Sequence, residues 1–161
     1  MPQNDPALLM RLNERNVEFV IIGGVCGVLH GVPLVTFDLH VCCPFSLENL
    51  RRIEAAVADL HPYHRLTPKR LPLELSDELA ADLKNLYLQT DLGKLDCLSE
   101  VTGIGDYQSV WKSSVPYETS SGDFHMLSLE ALIVAKEAAG RERDLAAVGL
   151  LRAIKERKKG S

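Results

Sequence analysis

FVIIGGVCGVLHGVPLVTFDLHVCC, residues 19–43, is the stretch of sequence that decides the fold. It opens with a short apolar run that stops at Gly23 and Gly24, a pattern typical of a strand buried on both faces. A second run, rich in β-branched and aromatic residues, predicts another strand over 34–43. Side chains two positions apart on a strand share a face, so Asp38 and His40 are expected side by side above the glycine turn. The stretch therefore predicts a polar site above that turn.

The rest of the chain alternates helix patterns with strand patterns. Asp5 followed by Pro6 is a good start for a helix over 7–15, because an N-cap acceptor precedes a residue preset for the first turn. Further along, we expect a helix over 24–29, a helix over 47–60, an irregular connection over 61–75, a helix near 76–84, hairpins over 85–99 and 113–128, and helices over 129–139 and 141–157. This order predicts an α/β (α+β) fold, a mixed β-sheet with helices mainly on one face.

Composition is that of an ordinary globular protein. The 161 residues are 46% hydrophobic and 25% charged, so we expect a single domain over 1–161, with a core at about 8–155 and a basic C-terminal tail at 156–161. The net charge of −4 gives no global basic field, which argues against long nucleic acid as a partner. The lack of a long apolar run and of a signal pattern predicts a cytoplasmic protein with no membrane partner. Cysteines without C-x-x-C spacing agree with reduced, buried thiols.

The order of the motifs resembles a known family. The pair GG at 23–24, thirteen residues, DLH at 38–40 and then GKLDCL at 93–98 are similar to the nucleotidyltransferase superfamily typified by DNA polymerase β. The likeness is greatest to its small bacterial branch, the minimal nucleotidyltransferases and the toxin–antitoxin-associated nucleotidyltransferases. It covers about residues 8–155, from LNERNVEFVIIGGVCGVLHG to SLEALIVAKEAAGRERDLAAVGLL. The resemblance implies a nucleotidyltransferase-like fold and transfer of a nucleotidyl group from a nucleoside triphosphate to an acceptor hydroxyl.

The chemistry of this family needs metal ions. Transfer requires that the triphosphate be neutralised and the acceptor aligned, which two Mg²⁺ ions about 4 Å apart can do. Because Mg²⁺ takes oxygen ligands, the family uses two acids on one strand and a third on a neighbouring strand. By position, the resemblance implies that Asp38 and Asp96 hold the catalytic metal, with Asp96 as the base nearest the acceptor. It also implies that Gly23 and Gly24 cradle a phosphate.

Two cations of the predicted closing helices are further candidates for nucleotide binding. The resemblance implies that Lys136 and Arg141 face the triphosphate. The other interpretation is that both belong to a surface or interhelical ion-pair set with Asp144. The sequence favours the ion pairs and leaves the nucleotide-binding role open.

Two positions depart from the family pattern. The second acid is here His40, whose imidazole supplies one nitrogen in place of a charged carboxylate and favours Zn²⁺ or Mn²⁺ over Mg²⁺. His40 is therefore either an atypical metal ligand beside Asp38 and Asp96 or a histidine hydrogen-bonded to one of these acids. The second departure is Leu34, which stands where many relatives carry an arginine. Together the departures predict a degenerate active site that holds Mg²⁺ or Mn²⁺ weakly and has weak or lost transferase activity.

Other interpretations of the site remain open at this stage. Asp91 or Asp106 could replace the missing acid, although strand alternation places Asp91 on the face opposite Asp96 unless the hairpin turn restores it. The alternative to a transferase is a non-catalytic nucleotide-binding or partner-binding protein of a toxin–antitoxin-like system. Nucleotide, acceptor and protein partner are not specified by the sequence.

Overall fold

The computed structural model describes residues 3–160 as helices packed around one large mixed sheet. The helices of this part of the chain are α1 (Asp5–Glu14), α2 (Gly23–Leu29), α3 (Leu47–Val57), α4 (Asp77–Asp82), α5 (Tyr107–Lys112), α6 (Leu129–Ala139) and α7 (Glu142–Lys159). A 3₁₀ turn, Ala58–Leu60, follows α3. The strands are β1 (Val20–Ile22), β2 (Leu39–Cys42), β3 (Tyr63–His64), β4 (Leu71–Pro72), β5 (Asn85–Thr90), β6 (Gly93–Leu98), β7 (Glu100–Val101), β8 (Gly105–Asp106), β9 (Ser114–Thr119) and β10 (Gly122–Leu127).

Eight of these strands form the main sheet, in the order β4-β3-β5-β6-β2-β1-β10-β9, and β7 pairs with β8 separately. β1 runs parallel to β10, and β2 runs parallel to β6. The other neighbouring strands of the main sheet are antiparallel. The sequence-based prediction of an α+β fold with a mixed sheet is thus confirmed.

The centre of the sheet has one apolar face and one face that carries polar side chains. Leu39, Leu95 and Leu88 lie opposite one another on β2, β6 and β5, and none of the three is exposed to solvent. The next position along, where His40 pairs with Asp96, points to the other face because side chains alternate along a strand. The apolar face belongs to one cluster of buried residues that also contains Leu8 and Leu12 of α1 and Leu50 and Ile53 of α3.

Side-chain caps set the starts of several helices. Ser46 and Ser128 accept hydrogen bonds from backbone N–H groups in the first turns of α3 and α6, as predicted. At α1 the prediction is off by one residue, because the Asn4 side chain accepts from the N–H of Ala7 and the helix already begins at Asp5. The cap is therefore Asn4.

Two segments differ from the prediction. The strand expected over 34–43 is confined to Leu39–Cys42, because its antiparallel neighbour β1 is only three residues long. The segment 61–75, expected to be irregular, contributes the edge hairpin β3–β4. Its prolines are compatible with strands, since Pro72 lies on the outermost strand, where a missing N–H breaks no ladder bond.

The last helix is longer than expected. α7 ends at Lys159 rather than at 157, so most of the basic segment 156–161 is helical, while Ser161 lies outside the described residues. Within residues 3–160, none of the helices has the length and apolarity needed to span a membrane.

Candidate active site

Three side chains predicted to form the site converge on the polar face of the sheet. His40 of β2 lies directly opposite Asp96 of the parallel strand β6, and Asp38 immediately precedes β2. Each residue offers one ligand atom, and these atoms all lie within 4.8 Å of one another. Within the described residues, this is the one group of three or more His, Cys, Asp or Glu side chains close enough to hold a metal ion.

The imidazole of His40 is hydrogen-bonded to both acids. Its Nε2 lies 2.9 Å from Asp38 Oδ2 and 2.8 Å from Asp96 Oδ2. Burial disfavours the charged imidazole, but the hydrogen bonds to the two carboxylates outweigh it and raise the pKa of His40 to about 9. The hydrogen bond to His40 in turn lowers the pKa of Asp38, against a smaller opposing effect of burial. The two contacts thus favour the protonated form of the His40 imidazole.

Arg65 completes the cluster, and no sequence pattern indicated its role. Its two terminal nitrogens contact both oxygens of Asp96, Nη2 lying 2.8 Å from Oδ2. The Asp96 side chain is only 2% exposed and that of Arg65 17%, so this is a desolvated bidentate ion pair. Arg65 directly follows β3, in the segment expected to be irregular, and the pairing of β3 with β5 carries it to the site. Asp38, His40, Asp96 and Arg65 are called the ion-pair cluster below.

The glycine turn lies directly against this cluster. Gly23 has a φ of +69°, and a Cβ there would lie 3.2 Å from the Cβ of His40. A Cβ on Gly24 would lie 3.0 Å from Thr36 Cγ2, in the loop that leads to Asp38. Gly23 is therefore favoured both by its positive φ and by its close approach to His40, whereas at Gly24 a side chain would press only on the methyl group of Thr36.

A cavity of about 410 Å³ opens beside the cluster. Of the site residues predicted from the sequence, it is lined by Gly23, Gly24, Asp38, His40, Lys136 and Arg141. The seventh, Asp96, lies behind His40 and contacts it. The cavity thus has the ion-pair cluster at one end and the junction of α6 and α7 at the other.

The junction of α6 and α7 presents three cations and one buried acid to the cavity. Lys136 Nζ lies 3.4 Å and Arg141 Nε 2.6 Å from the carboxylate of Asp144, which is 1% exposed. This confirms the predicted ion-pair set. Burial acts to raise the pKa of Asp144, but the hydrogen bond from Arg141 and the charge of Lys136 hold it below its ordinary value. With Arg143, three cations and one acid line this end of the cavity.

The two alternative acids lie elsewhere and have other partners. Asp91 Oδ2 is 2.6 Å from Nδ1 of His61. Asp106 caps α5, its Oδ1 accepting a hydrogen bond from the N–H of Ser109. Neither belongs to the group of ligand atoms around His40, so neither replaces the missing acid.

The ion-pair cluster does not fit a two-magnesium site. Mg²⁺ requires near-octahedral oxygen coordination, whereas His40 presents a nitrogen that is already bonded to both acids. Both oxygens of Asp96 also face the guanidinium of Arg65. The three groups lie at ligand distances, but a metal ion could bind only by displacing contacts that they already make.

Comparison with known proteins identifies the fold and nothing finer. No protein-family model and no curated protein matches the chain. The crystal structure of a candidate nucleotidyltransferase from Thermotoga maritima matches with a TM-score of 0.51, at 19% identity over 96% of this chain and 89% of that chain. ANT(2")-Ia in complex with adenylyl-2"-tobramycin gives a TM-score of 0.48, at 18% identity over 91% of this chain and 94% of that chain. The first likeness alone shows that the protein has a nucleotidyltransferase fold.

Proposed function

We propose that the protein binds a nucleoside triphosphate in the cavity beside Gly23 and Asp38, and that nucleotidyl transfer at this site is weak or lost. The observation that carries the proposal is the cavity itself. Its volume of about 410 Å³ lies within the range of small-molecule sites, and it brings the glycine turn, the ion-pair cluster and the cations of α6 and α7 to one place. We infer that the protein belongs to the small, toxin–antitoxin-associated branch that the sequence resembles.

The charges of the cavity favour a phosphate-bearing ligand. From α6, α7 and their junction, three cations (Lys136, Arg141 and Arg143) and one acid (Asp144) line the cavity, and Asp38 and Glu100 are the other acids that line it. No ion-pair partner is described for Arg143 within residues 3–160, and its side chain is exposed. The phosphates therefore bind towards this end, with Arg143 able to contact them without breaking an existing pair.

The ion-pair cluster explains why transfer is weak or lost. A general base must be able to accept the proton of the acceptor hydroxyl. Asp96, the family's expected base, is bound by Arg65 and His40 and is almost fully buried. Asp38 is hydrogen-bonded to His40, and its lowered pKa makes it a weaker base still. Neither carboxylate is available in this arrangement.

A thermal-unfolding experiment tests nucleotide binding. A ligand at about one hundred times its dissociation constant stabilises a protein by about 2.7 kcal/mol, so ATP or GTP is expected to raise the melting temperature by about 5–10 °C for a chain of this size. Arg143→Gln should reduce the shift. Arg152→Gln is the matched control, because Arg152 lies on the same helix but pairs with Glu137 outside the cavity. An unchanged melting temperature with every nucleotide would contradict the proposal.

Partner binding is the second candidate. The loop before β2 exposes three large apolar side chains at the cavity mouth, Leu34, Val35 and Phe37, which are 53%, 80% and 74% exposed. Clustered apolar exposure is typical of an interaction surface. Absence of a nucleotide-induced shift, together with loss of a co-purifying protein in Phe37→Ser, would favour this candidate over nucleotide binding.

A further inference from the structure

The position of Arg65 has a consequence for metal binding that goes beyond the loss of the acid at position 40. Its guanidinium faces both oxygens of Asp96, the residue that the family resemblance implies as the third acid of the metal site. A divalent ion that binds this carboxylate would lie beside the positive charge of the guanidinium and would compete with it for the same two oxygens. Arg65 therefore competes with a metal at a point that is independent of His40.

Arg65 is held in this position by its surroundings. Its backbone N–H donates to the carbonyl of Tyr87, 3.1 Å away, which extends the pairing of β3 with β5. Its guanidinium carbon lies 5.4 Å from the centre of the Tyr87 ring, within the range of a cation–π interaction. Tyr87 lies directly opposite Asp96 on β5. The backbone, the ring and the acid thus all fix the same side chain.

Arg65 and His40 already make the contacts to the two carboxylates that a metal ion would otherwise make. A bound divalent ion would bring two positive charges to Asp38 and Asp96. Arg65, whose guanidinium remains protonated in proteins, brings one permanent charge to Asp96. The Nε2 of His40 bridges the same Asp96 and Asp38. Both carboxylates therefore have partners before any ion arrives.

We propose that Arg65 is the built-in counter-ion of this site: it holds Asp96 in place of a metal ion, so that the phosphate-bearing ligand binds without a divalent cation. A direct consequence is that restoring the family acid by His40→Asp does not by itself restore metal binding. The part that concerns the ligand rests on the proposed function. The part that concerns the metal does not.

The metal part is tested with Mn²⁺ alone, without nucleotide, by calorimetry or electron paramagnetic resonance. The proteins are the wild type, His40→Asp, Arg65→Gln and the double variant. We expect the double variant to bind Mn²⁺ about tenfold or more tightly than His40→Asp, a change of the size known for residues that orient metal ligands. Equal affinity of His40→Asp and the double variant would overturn the proposal. Arg70→Gln in the His40→Asp background is the matched control, because Arg70 lies in the same hairpin segment and stacks on Tyr63 instead.

A second pair of variants keeps the test decisive if Arg65→Gln fails to fold. Lysine retains the positive charge but cannot contact both oxygens of Asp96, so Arg65→Lys combined with His40→Asp should show intermediate Mn²⁺ affinity. Affinity equal to or above that of the Arg65→Gln double variant would overturn the proposal, because the retained charge would then not oppose the metal. Each variant is first checked by circular dichroism.

The ligand part is tested by titrating ATP into the wild type with EDTA and with Mg²⁺. We expect affinities that agree within about twofold, because the phosphate charge is met by side chains and not by the ion. Binding that requires Mg²⁺ would overturn the counter-ion proposal and leave nucleotide binding intact. Absence of ATP binding under both conditions would instead contradict the proposed function and, with it, the proposal that the ligand binds without a divalent cation. The Mn²⁺ comparison would still decide whether Arg65 competes with a metal ion.

Discussion

Raising the pH from about 6 to about 9 should destabilise the folded protein through His40. This histidine has a pKa of about 9 in the folded state, whereas an unperturbed histidine has a pKa of about 6.5. A group whose pKa is raised by folding contributes stability that is fully present below its unfolded pKa and is lost as the pH rises through its folded pKa. The loss should therefore fall between about pH 6.5 and pH 9.

The size of the effect follows from the pKa shift and from the exposure of the side chain. The difference between a pKa of about 9 and one of about 6.5 corresponds to about 3.5 kcal/mol, at about 1.4 kcal/mol per pKa unit. The His40 side chain is 33% exposed, so solvent screening reduces this. We expect about 2 kcal/mol of unfolding free energy to be lost across the window.

Urea unfolding at several pH values between 6 and 9 measures this loss. In His40→Gln the part of the pH dependence that belongs to the imidazole should vanish, so the difference between wild type and variant isolates it. His61→Gln is the matched control, because His61 also pairs with an acid, Asp91, but on the surface with 85% of its side chain exposed. If His40→Gln loses stability over this window as steeply as the wild type, the ion-pair geometry described for His40 is wrong.

Two further predictions concern backbone conformation and buried charge. Gly23→Ala should lower the free energy of unfolding by about 1–2 kcal/mol for the positive φ alone, and by more because of the contact with His40. Gly149→Ala, inside α7 with nothing near its added Cβ, should instead raise it by about 0.5–1 kcal/mol. Equal effects of the two variants in denaturant unfolding would contradict this prediction. Asp144→Asn should lower the free energy of unfolding by about 3 kcal/mol, because a buried acid that pairs with two cations is removed. Glu137→Gln, in an exposed pair, should lower it by less than about 1 kcal/mol. Similar losses in the two variants would show that the α6–α7 ion pairs contribute little.

The parts of the site that were predicted from the sequence depend on local rules. Asp38 and His40 are two positions apart next to one strand, and the family pattern places Asp96 on its neighbour, so their convergence needed only the correct pairing of β2 with β6. The pairing of Lys136 and Arg141 with Asp144 followed from helical spacing and from a glycine between the two helices. Short-range spacing was sufficient for Asp38 with His40, whereas Asp96 was placed by the family resemblance.

The parts that were missed depend on contacts distant in sequence. β3 is two residues long, too short to show any periodicity, so nothing in its sequence indicates a strand. Arg65 therefore looked like one of several cations in a proline-rich connection. The role of Arg65 follows from the pairing of β3 with β5 and of β5 with β6, which brings Arg65 next to Tyr87 and Asp96. The length of β2 was overestimated for a related reason, because its end is set by β1 rather than by its own composition.

The placement of β1 between β2 and β10 has a consequence for how the protein is synthesised. Ile21 of this fully apolar strand pairs on one side with Val41 but on the other with Met126, which leaves the ribosome far later. Until then one edge of the nascent sheet is open, and an open apolar edge invites pairing with other chains. Because β1 has only three residues, that edge offers few hydrogen-bonding groups, which limits aggregation while translation is incomplete.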